Sequence, residues 1–123
     1  TIYGSFPEYH TSSDDLDFVK AEFLADSFSK YIEIIFVIEN NRKYLNLNPK
    51  CEPQLGKRGL YRMIGGQKED GSNEMAIFWI LNLSDGNNSL LDICNRSGLE
   101  FCLIKNLSDK LVSLNLLEEK KHD

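Results

Sequence analysis

Ser84-Asp85-Gly86-Asn87-Asn88-Ser89-Leu90-Leu91-Asp92 decides the fold, because it holds a helix stop and a helix start side by side. Upstream of it, Met75, Ala76, Phe78, Trp79, Leu81 and Leu83 make Glu74–Leu83 an apolar helical segment. Ser84-Asp85-Gly86 predicts its end in a glycine cap. Ser89 then offers an N-cap hydroxyl, and Asp92 offers a carboxylate three residues on, a capping box with Asp in place of the usual Glu. The helix that follows is short and ends near Gly98. A third helix, beginning around Glu100, places Leu103, Ile104, Leu107, Leu111 and Leu114 on one face. Cys94 and Cys102 fall on or near inward faces, and Phe78 and Trp79 read as core aromatics.

Two helices joined by a tight glycine turn, preceded by a third and followed by the apolar pair Leu116-Leu117, resemble a winged helix-turn-helix. Residues 74–123 are assigned to that domain, with a short wing starting over Leu116 to Lys120. Between Asn46 and Asn73 the helical period disappears and turn formers gather at Pro49, Pro53, Gly56, Gly59, Gly65-Gly66 and Asp70-Gly71. Residues 46–73 are therefore an irregular connector. Leu60-Tyr61-Arg62-Met63-Ile64 predicts a short strand within it, and Gln67 to Asn73 a polar loop. Gly65-Gly66 lacks the preceding strand and following helix of a phosphate-binding loop, which argues against a nucleotide site.

Further toward the N-terminus, Leu24, Phe28, Tyr31, Ile32, Ile35 and Ile38 recur at spacings of three and four, the mark of a long helix from Ala21 to about Asn41. Ile34-Ile35-Phe36-Val37-Ile38 alone also fits a buried strand, but the upstream period continues through it. Ile34 and Val37 lie off the main stripe, so this helix is expected to be covered on more than one side. Residues 1–45 form the first segment. The fold class expected for the whole chain is α+β, mainly α with minor β.

With 123 residues, 41% of them hydrophobic, the chain can bury a respectable core as one domain or two very small ones. No basic stretch followed by an apolar run begins the sequence, so no signal peptide is read in it. The most apolar segment, Tyr31 to Ile38, contains Glu33 and falls far short of the roughly 20 residues of a membrane span. Three cysteines, Cys51, Cys94 and Cys102, without a close pair point to reduced thiols and a cytoplasmic location. The net charge is −5, with nine acidic and five basic residues through Pro53 and ten acidic and nine basic residues after it. Neither half is a basic patch of the kind that displaces counterions from phosphates, which argues against nucleic acid.

Glu8-Tyr9-His10-Thr11-Ser12-Ser13-Asp14-Asp15-Leu16-Asp17 sets a histidine beside an aromatic and ahead of a Thr-x-x-Asp run. Alone, His10 reads as a hydrogen-bonded or surface histidine, and the other histidine, His122, sits in a charged tail. Tyr3 through Ser12 and on to Asp17-Phe18-Val19 resembles the C-terminal metal-ligand segment of bacterial zinc aminopeptidase-like proteins of peptidase clan MH. The similar subgroup carries a winged helix-turn-helix after the peptidase domain and includes members labelled as polysaccharide biosynthesis proteins. Tyr44-Leu45-Asn46-Leu47-Asn48-Pro49-Lys50 through Gly59-Leu60-Tyr61, and Trp79-Ile80-Leu81-Asn82-Leu83-Ser84-Asp85-Gly86 through Ile93, are similar to that subgroup too. The similarity runs over nearly the whole chain.

The resemblance implies that His10 is the last metal ligand, that Asp14 and Tyr9 support it, and that the intact protein uses zinc to hydrolyse a small peptide-like substrate. The remaining ligands and the general base lie upstream in the clan, so no catalytic residue is assignable in this segment. It also implies an upstream peptidase-domain segment as partner, without which the long helix is expected to drive self-association. For residues 74–123 two functions are open: a docking or assembly module, or the DNA-binding module of a winged-helix transcriptional regulator. Glu100, Lys105, Asn106, Asp109 and Lys110 are the expected exposed positions of the recognition helix. Two of them are carboxylates and none is an arginine able to read guanine, so DNA is the disfavoured partner.

Overall fold

The computed structural model describes residues 2–60 and 72–121, which form two compact units, residues 1–39 and residues 40–123. The chain is α+β: helix α1 (Ala21–Asn40), strand β1 (Lys43–Asn46), helix α2 (Ser72–Leu83), strand β2 (Asp85–Ser89), helices α3 (Leu90–Ser97) and α4 (Phe101–Ser113), and strand β3 (Leu117–Glu119).

The first unit is a run of turns followed by α1. Its side chains gather around Tyr9, whose ring meets Tyr3 edge-on at 5.0 Å and Phe6 edge-on at 5.6 Å, while Phe6 stacks on Phe18 at 5.6 Å. Such edge and offset contacts are the favoured aromatic geometries. α1 is the long helix that the spacing predicts, and none of its residues is buried.

The second unit has a core. α2, α3 and α4 enclose Ile80, Leu90, Ile93, Ile104 and Leu111, with Leu116 and Leu117 closing it from the chain after α4. The capping box is present in full: the Ser89 hydroxyl accepts from Asp92 N–H at 3.2 Å, and the Asp92 carboxylate accepts from Ser89 N–H at 2.8 Å. Gly98, at φ 72, is the left-handed cap of α3, and its N–H donates to Cys94 O at 2.8 Å.

Several local features differ from the expectation. Lys43–Asn46 is the central strand of a three-stranded antiparallel sheet, order β2-β1-β3, and Tyr44 on it is buried. The segment Asp85–Ser89, read as a helix stop, continues instead as edge strand β2. Gly86 does sit at φ 81, but to lie against β1: a Cβ there would come within 2.9 Å of Leu45 Cδ2. The C-terminal end of α2 is closed by Asn46, whose side-chain amide donates to Leu81 O at 2.8 Å and whose N–H donates to Ser84 O at 2.7 Å.

The start expected for a wing forms β3, but its partner is β1 from the other end of the unit. No hairpin follows α4 among the described residues. The connector is anchored in the core by Leu55 and Leu60, each only 1% exposed. Arg58 clamps it further, donating from Nη1 to Leu114 O at 2.9 Å and from Nε to Pro53 O at 3.1 Å. The strand predicted over Leu60–Ile64 and the loop over Gln67–Asn73 lie outside the described residues, apart from Leu60 at one end and Ser72 and Asn73 in α2. Gly65-Gly66 and His122 lie outside them too.

Candidate functional site

The His10 loop is built by short-range hydrogen bonds. The Thr11 hydroxyl donates to Glu8 O at 2.7 Å and Thr11 N–H to the same oxygen at 3.0 Å, closing a turn across Tyr9 and His10. The hydroxyl also accepts from Ser13 N–H at 3.2 Å, and Asp14 N–H donates to Thr11 O at 3.2 Å. Asp15 holds the next turn, its Oδ1 accepting from Asp17 N–H at 2.9 Å and Phe18 N–H at 3.2 Å. This is an Asx turn, in which a short carboxylate side chain satisfies its own backbone.

His10 itself has φ 58, in the left-handed region. Histidine is among the few non-glycine residues enriched there, and such a conformation persists where neighbours over-determine it. The neighbour is Tyr9, whose ring lies 4.1 Å from the imidazole at a tilt of 53°. A hydrogen bond with Tyr3, and burial after it, raise the Tyr9 phenol pKa. Tyr9 and His10 are thus brought together, with Tyr9 half-buried and His10 exposed, while Asp14 is tied to the loop through its backbone and is exposed. Sequence reasoning passed over Thr11 and Asp15 as the residues that shape the loop. The available signal was residue type, since Thr and Asp side chains satisfy neighbouring backbone groups in turns.

One imidazole does not make a metal centre. Among the described residues no group of three or more His, Cys, Asp or Glu could hold a metal ion. A zinc site needs about three protein ligands, so the residues of this chain fit one corner of such a site and no more.

The winged unit presents two further surfaces. Glu100, at the N-cap of α4, and Asn106 and Asp109 on the helix are exposed, and Lys105 and Lys110 are half-buried. Lys105 Nζ is 2.5 Å from Asp109 Oδ2, one turn along the helix. Beside them Arg42 pairs with Glu119 at 3.2 Å. Burial, followed by the charges of Glu119 and Asp109, raises the Tyr44 phenol pKa. Cys102, expected inward, is exposed on this helix. Cys94 is buried, and burial pushes its thiol pKa up.

The other surface is an open cleft of about 570 Å³ between the connector and α2, with Met75, Phe78 and Trp79 on one wall, Leu55 and Pro53 on the other, and Asn82 on the rim. Phe78 is therefore no core aromatic: it is 40% exposed along this cleft. Lys50, Cys51 and Glu52 from the connector line it as well, so the cleft joins an apolar wall to a polar one.

Comparison with known proteins follows the division of the molecule. Residues 42–119 match the winged helix-turn-helix family, and residues 1–41 match a family described as a domain of unknown function (DUF4910). The chain is 59% identical over 118 residues to a Clostridium acetobutylicum protein described as a polysaccharide biosynthesis protein with aminopeptidase-like domain. That alignment covers 96% of this chain and 27% of the relative. A crystal structure of a peptidase-like protein from the same organism superposes with a TM-score of 0.81 at 52% identity, over 96% of this chain and 25% of that one. The chain thus spans about a quarter of the length of the relatives that it matches. No helix among the described residues is long and apolar enough to cross a membrane. With a three-helix core, a three-stranded sheet and a family match across both, the chain belongs to the winged helix-turn-helix family.

Proposed function

We propose that this chain is the C-terminal part of a zinc-dependent, aminopeptidase-like metallohydrolase of the cytoplasm, in which His10 supplies the last metal ligand and the winged unit serves docking or assembly. The observation that carries the reading is the presentation of His10: an exposed imidazole at φ 58, braced by Tyr9 at 4.1 Å in a loop closed by Thr11 and Asp15. A backbone held in that region to expose a side chain is the pattern of a positioned ligand. The remaining donors and the general base would come from the upstream segment. Zinc in such a site polarises a peptide carbonyl and lowers the pKa of bound water.

Within this chain the neutral imidazole would bind, Tyr9 would fix the ring plane, and Asp14 and its neighbours would hold the loop in register. The test is metal content of the full-length protein by mass spectrometry. His10→Ala should lose zinc and aminopeptidase activity together, and unchanged zinc content would refute the role. The isolated 123-residue chain should bind zinc weakly and without stoichiometry, as read by calorimetry.

For the winged unit, docking is favoured over DNA binding by one observation. Lys105, the cation at the middle of α4, is paired with Asp109 at 2.5 Å. Duplex DNA should therefore bind negligibly at physiological salt. Submicromolar binding with a steep salt dependence, flattened by about one unit per lost phosphate contact in Lys105→Ala, would reverse this assignment.

A further inference from the structure

Taken at about 100° per residue, the apolar side chains of α1 spread over an arc of about 220°, with Phe23 and Ile34 at one edge and Phe28, Ile32 and, outermost, Phe36 toward the other. The polar side chains Glu22, Asp26, Lys30 and Glu33 crowd into a stripe of about 80° on the opposite side, where Val37 is the one apolar side chain, while Ser27 and Glu39 fall within the arc. The ion pair Lys30–Glu33, at 3.2 Å, runs along that stripe. An apolar surface this wide is the pattern of a helix covered on more than one side. Yet Phe23 is 64% exposed, Phe28 66%, Ile32 50% and Ile34 54%, so the first unit covers neither edge of the arc.

A second copy is a poor occupant. A two-fold helix pair buries one matching stripe on each partner, a seam narrower than this arc, and leaves one edge in water. An upstream segment of the same chain has both the length and the place. The relatives are about four times as long as this chain, and the family match that includes α1 ends at residue 41, where the winged family begins. We infer that α1 is an interior helix of the upstream domain, enclosed on both edges of its arc by that segment and open to water only along Asp26, Lys30 and Glu33. The inference rests on the proposed reading that this chain is part of a longer peptidase-like protein.

The test is maleimide labelling of the full-length protein carrying one new cysteine at a time: Phe23→Cys, Ile34→Cys and Ile32→Cys on the arc, Asp26→Cys and Glu33→Cys on the stripe. Labelling is read at that peptide by mass spectrometry against the urea-unfolded protein. Stripe positions should label within about tenfold of the unfolded rate. Both edges of the arc should label at least about a hundredfold more slowly, at every protein concentration. Equal rates on arc and stripe would overturn the inference. So would protection of one edge only, or protection that disappears on dilution, which is the signature of a second copy. Hydroxyl-radical footprinting of Phe23 and Phe28 in the unsubstituted protein gives the same answer should a variant fail to fold. These rates do not depend on zinc, so a failure of the His10 assignment leaves them unchanged.

Discussion

α1 and α4 are both helices with a strong apolar face, and they have opposite fates. In α4, Ile104, Leu107 and Leu111 are buried against α2 and α3, and even Ser108 is accommodated, its hydroxyl donating to Ile104 O at 2.8 Å. In α1 no residue is buried. The 3.6-residue period therefore specifies a helix in either case, while burial depends on whether the complementary surface lies within the same unit. The winged unit encloses its own core, and the first unit does not.

The largest effect should come from moving the cut between the two regions. A chain starting at Asn40 should keep the cooperative thermal transition of residues 1–123. One starting at Leu47 should fail to fold, because it loses the central strand β1 and the buried Tyr44. Circular dichroism melting distinguishes them, and a folded Leu47 chain would break the comparison.

Single truncations sharpen it. Leu111 is 0% exposed, and Leu111→Ala should cost about 2 to 5 kcal/mol in urea unfolding of the 123-residue chain. Ile35→Ala in the same chain should stay within about 0.5 kcal/mol, since Ile35 is 53% exposed. In the full-length protein Ile35→Ala should move toward the cost of Leu111→Ala.

A smaller effect is expected at Gly86, where the side chain would meet Leu45 Cδ2 at 2.9 Å in addition to the strain of φ 81. Gly86→Ala should cost about 1 to 2 kcal/mol from the left-handed backbone alone, read by the same unfolding experiment. The contact with Leu45 adds to it.

The smallest effect is electrostatic. Asp85 accepts from Asn87 N–H at 2.8 Å and Asn88 N–H at 3.1 Å, and these backbone bonds lower its pKa from 3.8 to about 2. A carboxyl whose folded pKa is depressed contributes stability that is fully present above its unfolded value. That contribution is lost as the pH falls from about 3.8 through about 2. Asp85→Asn should therefore narrow the fall in melting temperature between pH 5 and pH 2.5. Asp92 acts with the same sign, its pKa lowered by the side chain and N–H of Ser89.

What was legible in the sequence followed from local chemistry. The period of α1 and α4, the capping box of Ser89 and Asp92 and the cap at Gly98 each depend on residues within a turn or two of one another. The sheet was not legible, because Lys43–Asn46 is too short for an alternation to register and is held by partners distant in the chain. Asp85–Ser89 contains no strand former at all, and its Asp-Gly signal is shared by helix ends and turns. Phe78 and Cys102 were misplaced because residue type predicts burial only on average. For the candidate site, His10 stood out through its resemblance to a known segment, whereas its left-handed backbone and the contributions of Thr11 and Asp15 required coordinates.

Amide hydrogen exchange across α1, measured on the 123-residue chain and on the full-length protein under the same conditions, tests the account most directly. In the isolated chain, α1 amides should exchange by local opening far faster than those of α2 and α4. In the full-length protein they should reach the protection of those core helices. Equal, core-like protection of α1 in the isolated chain would contradict the account, because the helix would then need no upstream partner.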